Sequence, residues 1–166
     1  AHDLTFSSTV ESTSGSLHIN VATTGDVTFG DRSATDTVSG IDALTTNANV
    51  ITVNTPVSAS SIVFEGTNTT GDELTIASGG SLSATGLITI GAANDTTAIE
   101  TVSLAGNISS DSDTDGGDLS ILSNSGGSAT VTFSSSGLTL SAGAGQISAD
   151  NIDFSAGGNS PTFLSD

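Results

Sequence analysis

The sequence predicts an all-β fold: a right-handed parallel β-helix (β-solenoid) of about seven coils of roughly 23 residues, forming one domain over residues 1–166. Three observations carry this. The pairs Gly25-Asp26, Gly71-Asp72 and Gly117-Asp118 are evenly spaced, and Asp3 stands half that interval before Asp26. Short apolar runs that alternate with Ser and Thr follow them, which is the strand period and not the helical one. Small residues dominate the composition, with six Phe and no Trp, Tyr, Met or Cys. A narrow coil interior takes aliphatic residues and an occasional Phe, each stacked on its like above and below.

Taken in order, Asp3 opens Leu4-Thr5-Phe6 and Gly25-Asp26 opens Val27-Thr28-Phe29. Gly71-Asp72 precedes Leu74-Thr75-Ile76, and Gly117-Asp118 precedes Leu119-Ser120-Ile121. The intervening ladder positions hold Asn49 and Asp95, the residue types that serve turns best after Gly. A second apolar set follows each ladder position by about thirteen to fifteen residues: Leu17, Ile41, Ile62, Leu87, Ile108, Val131 and Phe154. Each unit then holds two or three short strands and Gly- or Asn-rich corners, and it buries its apolar face only against its neighbours. An apolar fraction of 34% is thin for a globule but sufficient where every coil closes its backbone hydrogen bonds on the next. The competing folds are a β-sandwich, which lacks a regular register of this length, and a disordered Ser/Thr/Gly chain, which lacks the alternation.

The formal charge is −17, from 18 carboxylates against Arg32 alone. Such a surface repels nucleic acid and anionic membranes, so neither is an expected partner. Equal ladder positions on neighbouring coils lie about 5 Å apart, inside the Debye length, so the carboxylates must splay into water, take up protons or share divalent cations. Asp111-Ser112-Asp113-Thr114-Asp115-Gly116 matches the D-x-D-x-D-G opening of calcium loops, where alternate carboxylates converge on one ion and Gly permits the turn. The twelfth position is Leu122 where an EF-hand needs Glu, so the expected ligands are Asp111, Asp113, Asp115 and Asp118 in a shorter calcium loop. An acidic, solvated corner is the plainer alternative.

The ladder of Asp3, Asp26, Asn49, Asp72, Asp95 and Asp118 reads as a set of corner caps, each side chain bonding the backbone two residues on, with an inter-coil calcium stripe as the alternative. His2 and His18 read as surface residues, and Arg32 beside Asp31 and near Asp36 as a local salt bridge. Asn68, Asn94 and Asn107 stand in glycosylation sequons of the kind that chance supplies in a Ser/Thr-rich chain.

The segments 117–127 (Gly117-Asp118-Leu119-Ser120 onward), 137–149 (Gly137-Leu138-Thr139-Leu140 onward), 3–10 and 25–30 resemble the repeats of filamentous-haemagglutinin-type exoproteins, the β-helical stalks and adhesins of bacterial surfaces. That resemblance implies a secreted, extracellular or cell-surface protein. The function expected is structural: a rod forming a cell-surface stalk or self-assembling into a fibre. Copies of itself, or flanking coils of a longer chain, are the expected partners at both ends, because apolar runs lie close to both. The alternatives are an adhesin segment that binds a surface receptor or glycan, and a β-sandwich subunit that polymerises by strand donation. Enzymatic activity is not expected: uronate lyases need Lys or Arg, and a glycosidase pair needs an aromatic platform that this chain does not offer beside its acidic cluster.

Overall fold

In a strand, residues i and i+2 share a face, so runs such as Val27-Thr28-Phe29 send two apolar side chains inward and leave the hydroxyl outside. The computed structural model describes residues 3–21, 24–31, 35–67, 71–91, 99–110, 119–123, 129–154 and 161–164. Those residues form eighteen short strands and no helix, and every pairing between strands is parallel. The β-sandwich alternative falls here, because a sandwich is built from antiparallel pairs.

The strands, numbered in chain order, stack in three rows. Row one is a sheet of seven: β1 (Leu4–Phe6), β4 (Asp26–Phe29), β6 (Val50–Val53), β8 (Glu73–Ile76), β11 (Thr101–Leu104), β14 (Thr130–Phe133) and β17 (Asn151–Asp153). Rows two and three belong to one sheet of eleven. The long strands β5 (Val38–Asn47) and β7 (Pro56–Glu65) run through both rows and join them. Row two adds β2 (Val10–Glu11), β9 (Ser81–Ala84), β12 (Ile108–Ser109), β15 (Thr139–Ser141) and β18 (Thr162–Leu164). Row three adds β3 (Leu17–Asn20), β10 (Ile88–Gly91), β13 (Leu119–Leu122) and β16 (Gly145–Ser148). This is a parallel β-solenoid.

The inward residues form columns along the axis. Val27, Ile51, Leu74, Val102 and Val131 make one, and Phe29, Val53, Ile76, Leu104 and Phe133 another, all with no exposed surface. Burying each such side chain contributes about 1.5–3 kcal/mol. Aromatic rings sit at both ends of the second column: Phe6 stacks on Phe29 with centroids 5.4 Å apart, and Phe154 on Phe133 at 4.9 Å. Phe29 also stacks on Phe64 at 5.9 Å across the core.

The solenoid makes about five turns rather than the seven coils of the sequence expectation. Five strands of row one carry an inward pair buried completely, while β1 and β17 are end rows, with Leu4 37% and Ile152 38% exposed. The repeating unit also drifts. Leu4 pairs with Val27, Val27 with Ile51 and Ile51 with Leu74, steps that agree with one another to within a single position. Leu74 then pairs with Val102 and Val102 with Val131, steps longer by about the length of a short strand. The first of these two steps spreads its extra residues over the coil, while the second takes them all between Ile108 of row two and Leu119 of row three.

That drift corrects two further expectations. Leu119-Ser120-Ile121 is not the counterpart of Leu74-Thr75-Ile76; it lies in row three, paired with Ile88-Thr89-Ile90. In the second apolar set, Leu87 is 41% exposed and Ile88 takes the inward place, while Val131 belongs to row one. Close stacking also fixes some corners as Gly. At Gly91, with φ +76°, a Cβ would stand 2.0 Å from the Leu122 carbonyl oxygen of the next coil.

Candidate functional site

The expected calcium ligands Asp111, Asp113, Asp115 and Asp118 lie outside the described residues, as do Asp95, His2, Arg32, Asn68 and Asn94. The fold does fix where their loop is anchored. It leaves row two after Ser109 and re-enters row three at Leu119, at the corner that Thr85-Gly86-Leu87 turns in the coil before. Ser110, at its entrance, is buried with its hydroxyl lacking a hydrogen-bond partner among the described residues. The same residues hold no group of three or more His, Asp or Glu side chains arranged for a metal ion.

Among the described ladder residues, Asp3, Asp26 and Asn49 are joined from one coil to the next. The Asp26 N–H donates to Asp3 Oδ1 at 3.3 Å, and Asn49 Nδ2 donates to Asp26 Oδ1 at 3.3 Å, so the bonds run from coil to coil. Backbone follows the same path, Asn49 N–H to Gly25 O and Glu73 N–H to Asn49 O, each 2.9 Å. Asn is the one ladder residue here that brings a side-chain donor, which relieves a stack of acceptors. Asp72 is the exception in direction, accepting the Thr67 N–H of its own corner at 2.7 Å, and it is buried.

Other carboxylates repeat the inter-coil pattern. Gly15 N–H donates to Asp42 at 2.8 Å, Gly71 N–H to Glu100 at 2.6 Å and Ala129 N–H to Asp150 at 2.9 Å, and Asn47 Nδ2 donates to Glu65 at 2.9 Å. A backbone donor at a solenoid corner has no partner in its own strand, and a carboxylate from the next coil satisfies it with a charge-assisted bond. Sequence reasoning missed these staples because partners separated by a whole coil of chain leave no local pattern.

The expected salt bridge of Arg32 lies outside the described residues, but Asp36 itself is only 8% exposed, and one of its carboxylate oxygens lacks a partner among the described residues. Its backbone carbonyl accepts the Thr55 hydroxyl. Burial, and then the neighbouring Asp31 carboxylate, raise its pKa above the ordinary value. His18 is exposed on β3, as expected of a surface residue.

The chain matches no family model, no curated protein and no solved structure. Its chemistry is therefore read from its own geometry. The described side chains mostly hold coil to coil, and the places where that pattern stops are the two ends of the stack. At the far end, Ile152, Phe154, Phe163 and Leu164 are 38 to 54% exposed, and Phe163 and Leu164 line a hollow of about 310 Å³. Among the described residues these four are the exposed large apolar side chains of the molecule apart from Leu87 and Leu4.

Proposed function

We propose that this chain is a structural rod of the cell exterior, a right-handed β-solenoid forming a stalk or fibre. The supporting observation is the continuous core of parallel rows, whose stacked columns run the length of the described structure. Seven strands in row one, spaced about 4.8 Å apart, give an axis of about 29 Å. The resemblance of its repeats to filamentous-haemagglutinin-type exoproteins supports the extracellular setting, and the general preference for right-handed crossovers supports the hand. Calcium belongs to the proposal through Asp111, Asp113, Asp115 and Asp118, on the strength of their spacing in the sequence. The adhesin reading comes second, since a chain with neither Trp nor Tyr lacks the aromatic faces that glycan recognition usually uses.

Small-angle scattering of the purified chain, with far-ultraviolet circular dichroism, tests the rod. The expected result is a β-rich particle with the cross-section of one solenoid and the length of the stack or a multiple of it. A compact globule or an expanded chain removes the proposal.

A further inference from the structure

The corner carboxylates Asp42, Glu100 and Asp150 each accept a backbone N–H from another coil. Asp36 differs from them. It is more than nine-tenths buried, and its Oδ2 has no hydrogen-bond partner among the described residues. Both the carboxylate and the backbone N–H of Asp31 lie within hydrogen-bond reach of the Asp36 carboxyl group. A buried carboxylate that faces a second one and keeps an open oxygen calls for a positive counter-charge or a proton.

The pair sits in the corner between β4 and β5, and neighbouring coils close that corner on both sides. From the coil before, Val10 N–H donates to Thr37 O at 2.8 Å and the Thr9 hydroxyl to Thr35 O at 3.4 Å. From the coil after, the fully buried Thr55 hydroxyl donates to the Asp36 backbone carbonyl. Gly30, with φ +81°, leads the chain in so close to Thr55 that a Cβ would stand 2.6 Å from the Thr55 Cβ. The position of the carboxylate pair is therefore set by packing and not by the pair itself.

We infer that Asp31 and Asp36 together bind a small, hard divalent cation of the magnesium type. The donors are carboxylate oxygens, the chain has no Cys, and His18 lies on β3 in row three, so the softer metals lack their ligands. Calcium collects about six to eight oxygens, whereas magnesium is commonly held by one or two carboxylates and keeps several waters of its own. A carboxylate pair near the surface of a chain with a formal charge of −17 suits the second pattern. The cation meets the open Asp36 oxygen and cancels the repulsion between the two acids. This site is separate from the expected calcium loop at Asp111 to Asp118.

Thermal melts at pH 7, with and without magnesium chloride at one fixed ionic strength, test the site. Magnesium at about a hundredfold excess over its dissociation constant is expected to raise the melting temperature by about 5–10 °C. Asp31→Asn and Asp36→Asn are each expected to lose that rise; every chain is compared with itself, because the substitutions also move the baseline. Glu73→Gln, which removes an exposed carboxylate elsewhere, is expected to keep it, and so is Asp113→Ala with Asp115→Ala. Trace manganese, a paramagnetic ion with similar ligand preferences, is expected to broaden the amide resonances of Asp31, Asp36 and Thr55 before others. No rise at about 20 mM magnesium, well above a millimolar dissociation constant, overturns the inference. So does a rise that survives both Asn substitutions, or broadening that begins in residues 111–118. In a magnesium-insensitive chain, destabilisation by Arg32→Gln would assign the counter-charge to the guanidinium instead, and a melting temperature that falls steadily from pH 5 to pH 8 would assign a proton.

Discussion

Asp36 is a carboxylate held where its charge is unwelcome. Burial and the adjacent Asp31 raise its pKa above the ordinary 3.8, so the folded state binds its proton more tightly than the unfolded chain does. The sign of the linkage follows: stability is greatest below the ordinary value, falls as pH rises through the raised one, and is flat above it. Asp36→Asn, which keeps the shape and removes the charge, is expected to raise the melting temperature at pH 7 and leave it unchanged at pH 3. Melts of the two proteins at both pH values check this, and equal curves at pH 7 would mean that the carboxylate is better solvated than its burial implies. The calcium motif belongs to the same scale. Saturating calcium at about a hundred times its dissociation constant is expected to add roughly 2.7 kcal/mol of stability, and Asp113→Ala with Asp115→Ala to abolish the gain. A calcium response that survives in that variant moves the site elsewhere, and no response in the parent removes it.

At the scale of strands and coils, the sequence shows its order and hides its contacts. The strand character of Leu4-Thr5-Phe6, Val27-Thr28-Phe29 and Leu74-Thr75-Ile76 is legible because alternation is a property of neighbours. Their register is legible too, since the first three steps keep the period to within a single position. Beyond Leu74 the corners lengthen, and counting forward by two units lands on Leu119, a good strand in the wrong row. Periodicity reports path length along the chain, whereas stacking depends on the path between corners, and a corner absorbs residues without moving the strands it joins. The ladder is legible as a set of polar corners but not as inter-coil bonds. Asn49 shows what that difference means. Between Asp26 and the next coil it supplies an amide donor, so Asn49→Asp replaces a donor by a second carboxylate one strand spacing away. The expected cost is about 1–3 kcal/mol, as for a lost bond to a charged group, and part of it should return at high salt. Chemical denaturation at low and high salt measures both parts. A loss below about 0.5 kcal/mol, the bottom of the range for a single hydrogen bond, would make the Asn49 bond incidental.

Over the whole molecule the question is how a stack with a formal charge of −17 holds together. Corner carboxylates bound to backbone N–H groups offset part of the repulsion locally, because each is tied to a donor from another coil or from its own corner. The rest is long-range, and its range is set by salt: the Debye length falls from about 30 Å at 0.01 M to about 8 Å at 0.15 M. At the first value the charges on all coils of a stack about 29 Å long repel one another, while at the second each coil repels little beyond its nearest neighbours, about 4.8 Å away. The melting temperature should therefore rise steeply with sodium chloride up to about 0.15 M and more slowly above it. Hydrophobic burial alone gives no such break, because added salt strengthens it gradually. A salt series of thermal melts in the presence of chelator separates the two. A curve already flat from about 0.01 M would mean that the carboxylates are neutralised by their own staples or by bound protons, and that the acidic surface costs the fold little.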